Sequence, residues 1–456
     1  MPRTVPFVPR VRSILYPNPI RVSVCPEPFQ TTGAGPPGHS VHSKKAMPSA
    51  GSAITALLLD CSPDLQGMAD AVCKRRGIRC LGTGSGSNPL PEILNTRPNY
   101  LLLDGGWPTE AGISLLREIE GKPELADTRV IVFSADPTPE NRARAFYLGA
   151  DEFAAKPCTE DDLEQTLATI NRFELNFWGV HGTLPVPGRK TLKYGGNTSC
   201  VSLTIGRDRR FVFDAGTGLR VFSNRIMETT GGRFNGRIFI SHPHWDHFNS
   251  LPFFEPLYIP ANRIAIHGPP QGDRSLRELI DDQMDGIFFP ITVEHFEAKV
   301  DYCDVLEGCY RFDGVTVTSH RLFHPGNCLA YRIDHNGCSL AYATDNELGT
   351  RPVDDPSLQN LVEFLKGVDV LIHDCTYFDD EYPKKVNWGH SSVGQAARLA
   401  HAVGARYFYL FHHDPDHGDD DVDRKLVQAK SVLAGLHSGT RCRIAAEGES
   451  VRIDEL

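Results

Sequence analysis

His242-Pro243-His244-Trp245-Asp246-His247 is the stretch that decides how this chain is read. Three imidazoles and a carboxylate fall within six residues, directly after the apolar run Ile238-Phe239-Ile240. A helix face could not aim all four at one tetrahedral ion. A loop at a strand end can divide them between two ions. Neutral imidazoles with a carboxylate suit Zn²⁺, with Mn²⁺ or Fe²⁺ as alternatives. The competing reading, a His-rich loop without metal, is disfavoured by the spacing.

Working outward, further candidates recur beside apolar runs. His324 stands in Leu322-Phe323-His324-Pro325, ahead of the run Leu329 to Ile333. Asp345 ends the run Leu340 to Thr344, and His412 ends Phe408 to Phe411. All of these are expected at one edge of a layered sandwich. His295 and His320 read as ordinary strand residues, and His413 as a neighbour supporting His412. Arg351, Lys384 and Lys385 could help hold a phosphate, but charged surface loops are the favoured reading of each.

Composition narrows the class. The 456 residues suggest two or three domains, and 40% apolar with 23% charged residues is ordinary for globular chains. A net charge of −10 argues against coating nucleic acid by charge alone. No apolar stretch is long enough to span a bilayer, so no membrane association is expected. The 12 cysteines include no CxxC pair, which points to reduced thiols and a cytoplasmic setting. Residues 1–52 are Pro- and Gly-rich with Glu27 as the sole acid, and read as a disordered tail, or as sequence upstream of a true start at Met47.

Between about 53 and 172, short apolar runs alternate with helical patterns such as Ala111 to Ile119. Ile54 to Leu59 ends at Asp60, Tyr100 to Leu103 at Asp104, and Val130 to Phe133 at Ser134. This alternation predicts a doubly wound parallel sheet, with functional residues at the carboxyl ends of strands. Lys156-Pro157 falls at such an end too. The glycine-rich Gly82 to Gly86 lacks the dinucleotide spacing and reads as a surface loop. The set resembles the receiver domain of two-component response regulators. The resemblance makes Asp104 the phosphoacceptor, with Asp60, Ser134 and Lys156 around it, Phe153 as the switch aromatic, and a histidine kinase or other signalling protein as partner. Cys61 departs from the family's second acid. That loss weakens a Mg²⁺ site, which relies on hard oxygen ligands. A degenerate receiver kept for docking or dimerisation is the alternative, and a homodimer is expected.

Residues 173–456 carry the metal motifs. They resemble the metallo-β-lactamase superfamily, and within it the phosphodiesterase branch that includes RNase Z and the phosphoribosyl cyclic phosphodiesterases. The resemblance implies an αββα sandwich behind a doubly wound, flavodoxin-like α/β receiver domain. It also implies that His242, His244 and His324 bind one metal ion, that Asp246, His247 and His412 bind another, and that Asp345 bridges two Zn²⁺. Asp214, in Phe213-Asp214-Ala215-Gly216, matches the acid that braces the metal loop. His373-Asp374-Cys375-Thr376 and Trp388-Gly389-His390-Ser391-Ser392 resemble motifs in which an acid and a histidine flank the scissile phosphate. The family usually has Glu where Asp374 stands. Asp246, Asp374 and His390 are thus the expected catalytic residues.

The expected reaction is two-metal phosphodiester hydrolysis. No Gly- and Lys/Arg-rich arm for gripping tRNA is seen in the sequence, so a small cyclic or nucleotide phosphodiester is the expected substrate. Alternatives are hydrolysis of a carboxylic ester, lactone or thioester, or a signalling adaptor with incidental catalysis. Gly389 to Gly394 is one residue too long for a serine nucleophile elbow. Asp419, Asp421 and Asp423 lack the Gly and Glu of a calcium loop.

Overall fold

A computed structural model describes residues 54–456, apart from Asp60, 83–88, 105–106, 126–127, Phe288, Asp313 and 352–354. The expected tail, Asp60 and most of the glycine-rich loop lie outside the described residues. The chain divides into two compact units at Leu167 and Ala168. Among the described residues no helix is long and apolar enough to cross a membrane.

In the first unit β1 (Thr55–Leu59), β2 (Arg79–Gly82), β3 (Tyr100–Leu103), β4 (Arg129–Ser134) and β5 (Glu152–Ala155) form a parallel sheet in the order β2-β1-β3-β4-β5. This is the doubly wound arrangement expected from the alternating runs. The helix Glu110–Glu120 starts at Thr109, whose side chain accepts from the Gly112 N–H, and it buries Ile113, Leu116 and Ile119.

The second unit holds two seven-stranded sheets. The first is built from β6 (Phe173–Gly179), β7 (Cys200–Ile205), β8 (Arg209–Phe213), β9 (Asn235–Phe239), β10 (Arg263–Gly268) and β11 (Lys299–Asp304). The second follows with β12 (Gly308–Phe312), β13 (Val315–Arg321), β14 (Leu329–His335), β15 (Cys338–Ala343), β16 (Val370–Asp374), β17 (Tyr407–Phe411) and β18 (Arg441–Ile444). The final strand, β19 (Ser450–Arg452), returns to pair antiparallel with β6.

The unbroken apolar runs follow from the layering. Along β17, Tyr407, Tyr409 and Phe411 enter the core between the sheets, while Phe408 and Leu410 face a second core under the helices. Along β15, Leu340 and Tyr342 divide from Ala341 and Ala343 in the same way. On the far side, Val212 and Ile238 pack under the helix Gly218–Thr230. A strand covered on both faces has no polar side to show. The result is the four-layered αββα sandwich. Two details differ from the sequence reading. His295 lies in a short 3-10 turn, Val293–His295, rather than a strand, and β9 stops at Phe239, before Ile240.

β8 and β9 run parallel, as do β15, β16 and β17, so their carboxyl ends share an edge. That edge carries Asp214, His242, Asp345, Asp374 and His412.

Candidate metal centre

Seven side chains meet at this edge in two groups that could hold metal ions. They are His242, His244, His324 and Asp345, and Asp246, His247, Asp345 and His412. In the first, His242 Nε2 lies 2.8 Å from His244 Nδ1 and 3.5 Å from Asp345 Oδ2. His324 Nε2 lies 3.1 Å from His244 Nδ1 and 3.7 Å from the same carboxylate oxygen. In the second, His247 Nε2 is 3.1 Å from Asp246 Oδ2, 3.1 Å from Asp345 Oδ1 and 3.2 Å from His412 Nε2. Four donors about 2.0–2.1 Å from a tetrahedral ion lie roughly 3.3 Å apart. The observed spacings, 2.8 to 3.7 Å, are compatible with two such donor sets that have Asp345 in common. Lone pairs turned on one another at this range repel unless a cation lies between them.

In three of the rings the outward nitrogen is anchored, which fixes the inward one. His247 Nδ1 donates to Asp214 Oδ2 at 2.7 Å. His324 Nδ1 donates to the Gly389 carbonyl at 2.8 Å, and His412 Nδ1 to Thr376 Oγ1 at 3.1 Å. Asp214 is wholly buried and also accepts from Ser241 N and Oγ and from Tyr342 Oη. Asp246 is held by the Thr183 backbone N–H at 2.7 Å. Asp214, Asp345 and His412 all have positive φ, at 61°, 33° and 58°. Non-glycine residues rarely hold this conformation, and such strain gathers where structure positions chemistry.

The electrostatics suit cations. Burial, with other imidazoles beside them, holds the pKa of His242, His244 and His324 below the usual range, which favours the neutral form a metal ion needs. Burial opposes the charge on Asp345, yet His247, His412 and His242 around it hold its carboxyl well below the usual range.

Beside the centre, His390 Nδ1 lies 3.0 Å from Asp374 Oδ2 and 4.0 Å from Asp345 Oδ2. Burial works against an imidazolium at His390, but Asp374, through charge and hydrogen bond, with Asp345 and Asp246 behind it, raises its pKa to about 9. Asp374 is wholly buried and also accepts from Asn346 N, Thr376 N and Thr376 Oγ1.

Sequence reasoning missed Glu347. Its buried carboxylate accepts from Tyr382 Oη at 2.7 Å, Asn387 N at 2.7 Å and Gly389 N at 2.8 Å. It therefore fixes the loop that presents the Gly389 carbonyl to His324 and leads into His390. Gly389 has φ +87°, and a Cβ there would stand 2.4 Å from His324 Nδ1. An acid two residues past Asp345 was the available signal. His413, read as a support for His412, is fully buried, and among the described residues neither ring nitrogen is hydrogen-bonded.

In the first unit Asp104 closes β3. Its Oδ1 forms an ion pair with Lys156 Nζ, and its Oδ2 accepts from Ser62 N at 3.0 Å. Ser134 ends β4, where its Oγ accepts from Asp136 N. The Cys61 thiol lies against the Leu59 and Leu102 carbonyls.

Comparison with known proteins agrees with both halves. Residues 209–413 match the β-lactamase superfamily domain, and residues 56–168 the response regulator receiver domain. Ribonuclease Z of Myxococcus xanthus is 26% identical over 272 residues, covering 49% of this chain and 83% of that protein. Ribonuclease BN of Citrobacter koseri is 23% identical over 310 residues, covering 57% and 95%. A crystal structure of a diphosphatase from the PhnP family overlays at 18% identity with a TM-score of 0.45, covering 61% of this chain and 97% of that one.

Proposed function

We propose that this chain, a β-lactamase superfamily hydrolase domain preceded by a response regulator receiver domain, is a two-metal phosphodiesterase acting on a small cyclic or nucleotide phosphodiester. The observation that carries this reading is the pair of donor shells sharing Asp345, with the Asp374–His390 pair beside them. The shells belong to any two-metal hydrolase. A histidine carrying a raised pKa at the rim is what a phosphodiester, with its poor leaving oxygen, requires. A carboxylic ester or lactone has less need of it.

His242, His244 and His324 would hold one cation, Asp246, His247 and His412 the other, and Asp345 both, with Zn²⁺ the best match to the donors. Such ions supply positive charge that polarises a phosphoryl group and makes water acidic near neutral pH. The chain's own residues do the rest. Asp374 holds His390 Nδ1, which leaves Nε2 to face substrate as the donor of a proton to the leaving oxygen. Asp246, tied to the Thr183 N–H, is oriented toward the second shell. Asp214 keeps His247 in the tautomer whose Nε2 lone pair points inward.

In this reading residues 53–172 form the regulatory or docking unit, addressed by a histidine kinase or another signalling partner, in a cytoplasmic homodimer, and residues 173–456 form the catalytic unit. Elemental analysis of protein purified without chelator should find about two Zn²⁺ per chain. The preparation should hydrolyse bis-p-nitrophenyl phosphate, and its turnover of cyclic nucleotides, a cyclic ribose phosphate and pre-tRNA then ranks the substrates. A folded, fully active protein free of metal after dialysis against EDTA would overturn the reading.

A further inference from the structure

A cavity of about 730 Å³ opens beside the metal centre, lined by His324 at one side and by Phe323, Thr350, Arg351, Tyr382 and Asn387 among others. Among the described residues of the wall, Arg351 is the one lysine or arginine. Its guanidinium carbon lies 3.8 Å from the centroid of the Phe323 ring. Its Nη1 donates to the Glu347 carbonyl and, at 2.8 Å, to the Leu348 carbonyl. The group is therefore held by a ring on one face and two carbonyls on one nitrogen. Among the described residues Nε and Nη2 donate to nothing, and no carboxylate pairs with the guanidinium. Among the described residues of the wall the one carboxylate is Glu347, and it spends both oxygens on three donors of the wall itself.

A half-buried guanidinium without a counter-ion leaves part of its desolvation uncompensated. Its planar fork matches phosphate or carboxylate oxygens. The cavity shares His324 with the first donor shell, so a substrate held at that shell can extend into it. We propose that Arg351 forms a second anion subsite, which binds a phosphate of the substrate other than the scissile one. This inference rests on the phosphodiesterase reading and specifies its substrate class as diesters that carry an additional phosphate. Two sources share that chemistry: a terminal phosphomonoester on a small substrate, and the neighbouring diester of an oligonucleotide.

The test compares Arg351→Gln with the unmodified, zinc-loaded full chain on four substrates. Bis-p-nitrophenyl phosphate and a dinucleoside monophosphate carry no second phosphate. The same dinucleotide with a terminal phosphate, and a trinucleotide without one, represent the two sources. The expected result is a KM raised on the order of tenfold for at least one phosphate-bearing substrate, with kcat held, and no change for the first two. Which of the two responds identifies the source. Calorimetry supplies a readout free of turnover. Adenosine bisphosphate should bind the holoenzyme more tightly than AMP, and Arg351→Gln should abolish the difference. If Arg351→Gln fails to fold, Arg351→Lys keeps the charge but loses the fork and should give a partial loss. Equal KM changes on all four substrates, or no bisphosphate preference in the unmodified protein, would overturn the subsite. Failure of the phosphodiesterase reading looks different: bis-p-nitrophenyl phosphate would not be hydrolysed at all.

Discussion

Asp104 and Asp345 are both buried carboxylates at the carboxyl end of a strand in a parallel pairing, yet the molecule treats them oppositely. Asp104 is closed: the Lys156 ammonium takes one oxygen and the Ser62 N–H the other. Asp345 is open. Its charged neighbours are imidazoles, with contacts of 3.0 Å to His412 and 3.1 Å to His247, and no lysine or arginine reaches it among the described residues. A buried charge must be compensated. Where an ammonium already does so, the site is electrostatically complete and can serve as a switch or a brace. Where imidazoles alone surround the charge, a cation bound from outside the chain can take over the compensation.

The sharpest way to break the comparison is to remove the open carboxylate. Asp345→Asn should lower bound metal well below two ions per chain. Loss of groups that merely support ligands typically costs about 10–100-fold, so loss of the shared ligand should cost phosphodiesterase turnover more than that. Chelation should also lower the melting temperature of the unmodified protein, because a ligand bound only by the folded state stabilises it. Inductively coupled plasma analysis and a melting curve with and without EDTA check both. Normal metal content in Asp345→Asn would show that the shells do not depend on it.

Next in size is His390→Ala, which should keep the metal and lose turnover by about 10²–10⁴-fold. Its pH behaviour separates a proton donor from a spacer. The pKa of His390 is raised to about 9 against burial, chiefly by Asp374. Cations bound at Asp345 and Asp246 consume the help those two give, which leaves Asp374 as the main support. A proton donor works below its pKa, so activity should fall on the alkaline side. Asp374→Asn removes the negative charge and should move that alkaline limb to lower pH. An unmoved limb would assign the titration to another group.

These residues were open to inspection in the sequence to unequal degrees. His242 to His247 is a local motif, and Asp345 and His412 end apolar runs, so strand logic alone brings them to one edge. The runs were legible because sandwich strands are covered on both faces, as the alternation of Tyr407, Tyr409 and Phe411 with Phe408 and Leu410 shows. For Glu347 the sequence offered only its nearness to Asp345, not its role. Its three donors lie 35 to 42 residues away in a loop without periodicity. For Arg351 a surface charge was favoured over a phosphate contact because nothing local reveals that Phe323 covers it. His295 carried no strand pattern of its own and falls in a turn.

A smaller effect probes the brace beneath the open site. Tyr342 Oη donates to Asp214 Oδ2 at 2.7 Å between the two sheets, where both residues are fully buried. Tyr342→Phe removes one donor from a buried carboxylate that keeps Ser241 and His247. It should cost about 1–3 kcal/mol of stability by urea denaturation while metal content stays normal. Loss of metal would mean that Asp214 holds His247 less firmly than its four bonds imply.

The smallest effect on hydrolysis is expected at the closed site. Acyl-phosphate formation at Asp104 needs Mg²⁺ to neutralise the incoming phosphoryl group. Mg²⁺ wants hard oxygen ligands, and a thiol stands at Cys61 where the family places a second acid. With the Lys156 ammonium already on Asp104, the unmodified protein should label weakly with acetyl phosphate. Cys61→Asp restores a carboxylate at that strand end and should strengthen both Mg²⁺ binding and labelling, read by calorimetry and mass spectrometry. Asp104→Ala removes the ion pair but none of the donors around Asp345, so basal hydrolysis should stay nearly unchanged. Robust labelling of the unmodified protein would show that the lysine closes the site less completely than its contact with Asp104 suggests. A large loss of turnover in a well-folded Asp104→Ala protein would carry more weight. It would mean that the closed carboxylate and the open one are energetically coupled, so that the receiver is part of the catalytic equilibrium and not an attachment to it.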